Sequence, residues 1–141
     1  MTRAPAPVAG TGRGLLLPLA VLAGVAAAVA VLAVRDPHEP GHYPACPFLM
    51  ATGLYCPGCG GLRMVNALAH GRVGAAFDSN PLAFLLLPAA AWLWTVWAAH
   101  RARGLPARSA LLTRNAGIAL LVVAVAFGIA RNLPFAVFLA P

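Results

Sequence analysis

Lysine is missing from this chain and acid nearly so. Asp36, Glu39 and Asp78 are its only carboxylates, against ten arginines and a net charge of +7. Charged residues make up 9% of the 141 positions and hydrophobic residues 61%. Soluble domains carry about 25% charged residues, so the composition is that of a membrane protein. The arginines stand at the ends of apolar runs and form no basic face, which argues against nucleic acid as a partner despite the charge. No acid lies within an apolar run, which argues against a proton-coupled transporter. The sequence offers no Ser/His/Asp arrangement and no phosphate-binding loop. The lysine-free, Ala/Arg-rich usage suits a GC-rich bacterial genome.

What is present is organised around apolar runs. Residues 1–14, rich in Pro, Ala and Gly, have no apolar period and are expected to form a disordered tail. Residues 15–141 are expected to form one membrane domain. Leu15–Val34 is free of charge, and 20 residues of helix span about 30 Å, the thickness of a hydrocarbon core. A cleaved signal peptide is the rival reading, with Ala28-Val29-Ala30 as the cleavage site, but the run exceeds the usual ~7–15-residue signal core. A second span covers 81–99, with Asn80-Pro81 as N-cap and N1, a kink at Pro88, and Trp92, Trp94 and Trp97 as an interfacial belt. A third covers about 111–132, centred on Asn115–Ala130 and extended by Leu111–Thr113 or by the apolar tail after Arg131, with an arginine snorkelling at one end. Small residues four apart (Ala20, Gly24 and Ala28; Ala124 and Gly128) permit close helix contact.

Arginine bias sets the topology. Arg3, Arg13, Arg101, Arg103, Arg108 and Arg114 fall on one side of the spans; Arg35, Arg63, Arg72 and Arg131 fall on the other. Six against four places the N-terminus inside, with the cysteine loop 35–80 and the C-terminus outside.

That loop holds all three cysteines. Its first part, Arg35–Tyr55, is rich in proline and expected to be irregular. Cys56-Pro57-Gly58-Cys59 reads as a type II turn, with Pro fixing the second position and Gly58 taking positive φ at the third. Gly60–His70 reads as a short interfacial or re-entrant helix with an apolar side of Leu62, Val65, Leu68 and Ala69, closed by Gly71 at C′. Arg63, Asn66 and His70 share another side. A thiol pair at a helix start is favoured as thiolate.

Three readings of the cysteines compete. Cys46 bridges Cys56 or Cys59 and staples the loop of a non-enzymatic module that binds a membrane partner or a second copy. The CPGC pair, with Cys46 as third thiol and Arg63 supporting a thiolate, exchanges disulfides in the cell envelope. Or Cys46, Cys56 and Cys59 with a histidine, His70 first and His38 or His42 as others, form a Cys₃His zinc site. A haem site of the CxxCH type is excluded because Gly60 follows Cys59. His38 and His42, beside Asp36 and Glu39, otherwise read as solvated loop residues.

Cys46-Pro47, Thr52-Gly53-Leu54-Tyr55-Cys56-Pro57-Gly58-Cys59-Gly60, Arg63, Leu68-Ala69-His70-Gly71, Ala75-Ala76-Phe77 and Asn80-Pro81-Leu82 together resemble the bacterial membrane family called domain of unknown function 2752. The resemblance covers about residues 46–100, and Arg131-Asn132-Leu133-Pro134 is similar to the family's C-terminal end. Leu62 departs from the pattern, where threonine is expected. The resemblance implies a small helical protein of the bacterial plasma membrane and no established activity. The expected fold is therefore all-α, a polytopic membrane protein with three transmembrane helices and one short helix after the CxxC turn.

Overall fold

The computed structural model describes residues 13–39, 41–105 and 113–140. Among them it is all-α. The helices are α1 (Arg13–Val34), α2 (Pro47–Thr52), α3 (Gly61–Ala69), α4 (Val73–Ser79), α5 (Pro81–Ala102) and α6 (Arg114–Ala130), followed by a 3₁₀ turn at Val137–Leu139. The tail expected over 1–14 lies outside the described residues as far as residue 12; α1 has already begun at Arg13.

Two helices are long and apolar enough to cross a membrane, Gly14–Val34 and Pro81–Ala102. Their most apolar windows are only 11% and 0% buried within the protein. A core helix of a soluble protein would be covered by its neighbours, whereas here the apolar faces lie bare, as lipid-facing helices do. The third expected span is shorter than anticipated: α6 has 17 residues. Its start is capped by the Thr113 side chain, which accepts from the Ala116 N–H. Its end comes at Ala130, and the chain then turns instead of extending the helix past Arg131. Of the proposed N-terminal extension, residues 111 and 112 lie outside the described residues.

The second span matches its sequence signals more closely. Asn80 caps α5 by accepting from the Ala83 N–H at 2.9 Å, with Pro81 at N1. The helix is continuous through Pro88 to Ala102. α1 and α5 pack together, and a Cβ on Gly14 would collide with the Arg101 carbonyl. That contact puts the start of α1 beside the end of α5, so the pair runs antiparallel. The small-residue stripe plays no comparable part, since nothing lies within 4 Å of a Cβ built on Gly24.

The loop between α1 and α5 is more helical than expected. α2 occupies part of the stretch read as irregular, and α4 follows α3 after Gly71, whose φ of +70° makes it the anticipated left-handed residue after a helix. The inward face of α3 overlaps its apolar side only in part: Val65 and Leu68 pack against the core, and Leu62 and Ala69 do not. Met64, Asn66 and Ala67 are buried, while Leu62 is 46% exposed. Met64, Ala67 and Ala76 form a small core, joined by Val65, Leu68, Ala83 and Phe84. A polar side chain that is buried needs hydrogen-bond partners, and one such side chain sets which way this helix turns.

Asn66 is that side chain. Fully buried, it donates from Nδ2 to the Leu32 carbonyl in the last turn of α1 at 2.7 Å, and its Oδ1 accepts from Arg72 Nη2 at 2.8 Å. It thus joins α1, α3 and the entry to α4. Replacing Asn66 by Leu should destabilise the protein by about 1–3 kcal/mol, because two hydrogen bonds that tie α3 to α1 and to Arg72 are lost. Thermal unfolding in detergent micelles, compared with Leu62→Ala as an exposed control, measures it.

Candidate functional site

The chain between α2 and α3 is a tight turn, of a different kind from the one expected. The Cys59 N–H donates to the Cys56 carbonyl at 3.1 Å, and the Gly61 N–H to the Gly58 carbonyl at 3.0 Å. Positive φ falls at Gly60 (+82°), the N-cap of α3, and not at Gly58. A type II turn needs positive φ at its third position, so that assignment is overturned. The chain instead winds with helical hand through the cysteines and reverses at Gly60 to enter α3.

The winding gathers the thiols. Cys46 precedes α2, so its side chain approaches from the other flank. Cys46 Sγ lies 3.5 Å from Cys56 Sγ, and Cys56 Sγ lies 3.2 Å from Cys59 Sγ. All three sulfurs lie within 4.8 Å of one another. None is disulfide-bonded, so the expected staple is absent and the sulfurs stand in contact. The Cys56 N–H points at Cys59 Sγ at 3.3 Å.

Their surroundings differentiate the thiols. Cys46 makes no cap hydrogen bond of full geometry, yet the Leu49 N–H in the first turn of α2 bears on it and, with the Cys56 thiol, lowers its pKa from 9.0 to about 7. Burial pushes Cys59 up to about 12, helped by its contact with Cys56. An anion on the trio thus settles first on Cys46.

Beneath the turn lies polar scaffolding that the sequence reading missed. Arg131, only 2% exposed, donates from Nη1 to the carbonyls of Cys56 (2.9 Å) and Cys59 (3.1 Å), and from Nη2 to that of Leu139 (2.9 Å). Its Nε is buried without a partner. Its guanidinium also lies 5.0 Å from the Phe127 ring centroid and 5.8 Å from that of Tyr55. It is therefore no snorkelling anchor. Asn132 pairs with the Tyr55 backbone on both sides, accepting its N–H and donating to its carbonyl, each at 2.8 Å. Asn80, besides capping α5, donates to the carbonyls of Pro57 (2.9 Å) and Cys59 (3.0 Å). Gly128 makes room for the turn, since a Cβ there would stand 3.0 Å from Pro57 Cγ. One signal for this scaffold was in plain view: an Arg-Asn pair closing an apolar run, the same four-residue stretch that carried part of the family resemblance.

The thiols open onto a groove of about 680 Å³ lined by His38, Glu39 and Arg63 among others. Arg63 thus shares a space with the cysteines, as its helix position predicted. His70 does not. It is the C-cap of α3, its Nδ1 lies 2.9 Å from the Asn66 carbonyl, and it is neither among the groove residues nor within ligand reach of the sulfurs. His38 is held differently: its Nδ1 lies 2.7 Å from Asp36 Oδ1. The His38 backbone N–H and then its ring keep the Asp36 carboxyl below the usual range.

The unequal thiols give a measurable pH profile. In reduced, metal-free protein, a pKa lowered to about 7 means that Cys46 is protonated below that pH and thiolate above it. Alkylation of Cys46 by iodoacetamide should rise about tenfold per pH unit up to pH 7 and then level off. Cys59 should stay unmodified throughout. Peptide mass spectrometry resolves the sites, and Cys59 reacting first would contradict the assignment.

Neither the curated proteins nor the solved structures contain a match to this chain. A family model described as Protein of unknown function (DUF2752) matches residues 46–94, from the first cysteine into α5, and over that stretch the chain is similar to the family its sequence resembles.

Proposed function

We propose that this chain is a three-span membrane protein whose cysteine loop forms a non-enzymatic metal-binding cap, with zinc the first choice of ion. The observation that carries the reading is the triangle of sulfurs. Thiolates around a tetrahedral zinc, at about 2.3 Å from the metal, stand about 3.8 Å from one another. The separations here, 3.5 Å, 3.2 Å and at most 4.8 Å, bracket that value. A closed set of soft donors selects zinc over oxygen-loving ions.

Thiol–disulfide exchange is the second reading, favoured by the Cys46 thiol of pKa about 7 in contact with Cys56. Its geometry is poorer. Displacement at sulfur requires the attacking and leaving sulfurs to lie in line. Sides of 3.5 and 3.2 Å, with a third no longer than 4.8 Å, hold the angle at Cys56 Sγ to about 91° or less. Cys46 therefore meets a Cys56–Cys59 bond from the side.

The third span belongs to the same proposal. Seventeen residues of α6 rise about 26 Å, short of a ~30 Å hydrocarbon core. The turn compensates by reaching down to meet the helix end. Irregular backbone is tolerated at membrane depth where protein satisfies it, and Arg131, Asn132 and Asn80 satisfy this turn. The arginine bias places the cap on the outer face of a bacterial plasma membrane, where a second membrane protein or another copy of the chain can meet it.

Protein purified in detergent should carry one zinc per chain and three reduced thiols, and Cys46→Ser, Cys56→Ser and Cys59→Ser should each lose the metal. Elemental analysis with intact-mass spectrometry on the same sample decides this. Metal-free protein with a Cys56–Cys59 or Cys46–Cys56 disulfide would select exchange. For orientation, a membrane-impermeant thiol reagent should label intact cells once metal is stripped and thiols are reduced. Labelling only after permeabilisation would invert the topology.

A further inference from the structure

Three sulfurs leave one coordination position, and it faces the groove. We propose, building on the three-thiol metal reading, that His38 fills it through Nε2, with Asp36 as the group that orients the ring.

The histidines of the chain are distinguished by what already occupies their nitrogens. His42 has both engaged: Nδ1 lies 3.1 Å from the Asp36 carbonyl, and Nε2 lies 3.2 Å from Glu39 Oε2. His70 belongs to the far end of α3, its Nδ1 on the Asn66 carbonyl. His100 lies in the last turn of α5, about 30 Å along the helix from the end that meets the turn. His38 is the one histidine lining the groove that the thiols line. Its Nδ1 is 2.7 Å from a carboxylate oxygen, which can only accept, so Nδ1 carries a proton and, in the neutral ring, Nε2 holds the lone pair. No described group is bonded to Nε2. A carboxylate behind one imidazole nitrogen and an open lone pair on the other is the arrangement that fixes metal-ligating histidines.

The Asp36 carboxylate is itself fixed. Its Oδ1 also accepts the His38 backbone N–H at 2.9 Å, so ring and carboxylate turn as one unit. His38 Nε2 is not within the 4.8 Å reach that unites the sulfurs. Coordination therefore draws the segment between Arg35 and Cys46 across the groove. The described residues of that segment form no helix, and the side chains of Asp36, His38, Glu39 and His42 are exposed at its surface. The completed set, three thiolates and one neutral imidazole around a divalent ion, carries one net negative charge, and Arg63 lines the same groove.

Cobalt(II) is the probe, because it takes zinc sites and reports its ligands. The cobalt-loaded wild type should show a paramagnetically shifted, solvent-exchangeable imidazole N–H resonance. Asp36→Asn, which removes the carboxylate behind the ring, should weaken cobalt affinity on the order of 10–100-fold, and His38→Ala should abolish that signal and weaken affinity further. His42→Ala and His70→Ala should leave both intact. His38 is exposed, so its loss leaves the fold standing, and the Asn66-dependent thermal transition checks that. An unchanged affinity in His38→Ala, no imidazole signal in the wild type, or a signal that survives the substitution overturns His38 as ligand while the three-thiol site stands. A wild type that binds no cobalt, or Cys46→Ser and Cys59→Ser variants that bind it unchanged, would overturn the three-thiol reading itself.

Discussion

A buried arginine holding the carbonyls of Cys56 and Cys59 is the constraint on which this fold turns. The cysteine turn presents a row of backbone oxygens, and where the protein buries them they need donors from the protein itself. Arg131 takes two of them with Nη1 and binds the Leu139 carbonyl with Nη2, and Asn80 shares the Cys59 oxygen. The guanidinium in turn is enclosed by the turn, the Phe127 ring and the 3₁₀ segment that supplies Leu139. Each side makes the other's burial tolerable. The end of α6, the start of α5 and the turn are thereby one unit, and Asn66 attaches the end of α1 to it through α3. The loop is less a connection between spans than the block into which three helix ends are set.

The same arrangement shapes the site's electrostatics. Three thiols in contact would repel one another if all ionised, and the differing environments of Cys46 and Cys59 express this, one favoured as anion and the other held neutral. A divalent cation among them removes the conflict and leaves a single negative charge. The buried guanidinium, separated from the sulfurs only by the peptide groups it binds, is placed to offset that charge in a medium of low polarity.

The sequence exposed the outline well. The two long spans follow from uninterrupted apolar runs, the start of α5 from Asn-Pro, and the end of α3 from Gly71, because each is dictated by local chemistry. Convergence of the thiols was legible for Cys56 and Cys59, which a short turn must bring together. It was open for Cys46, whose placement depends on α2, a six-residue helix with too little periodicity to announce itself. The inward face of α3 was half legible: Val65 and Leu68 of its apolar side join the core, but Asn66 is drawn in by partners on α1 and at Arg72 that no spacing rule names. Arg131 and Asn132 were opaque for a different reason: their partners lie more than seventy positions away, and no spacing rule connects an arginine to carbonyls that any residue could present. The turn type failed at Gly58 because Pro-Gly fits two turns, and the neighbouring Gly60 absorbed the reversal.

The distance along the chain between the turn and its cation has a consequence for biosynthesis. Arg131 lies 75 residues after Cys56. At about 5–20 residues per second, a growing chain presents the cysteine turn on the order of 4–15 s before the residue that neutralises its carbonyls is made. During that interval three neighbouring thiols, in an oxidising compartment if the loop is outside, have neither their polar support nor a settled geometry. Assembly of the site therefore waits on the end of α6, which acts as the latch that closes over the cysteine turn.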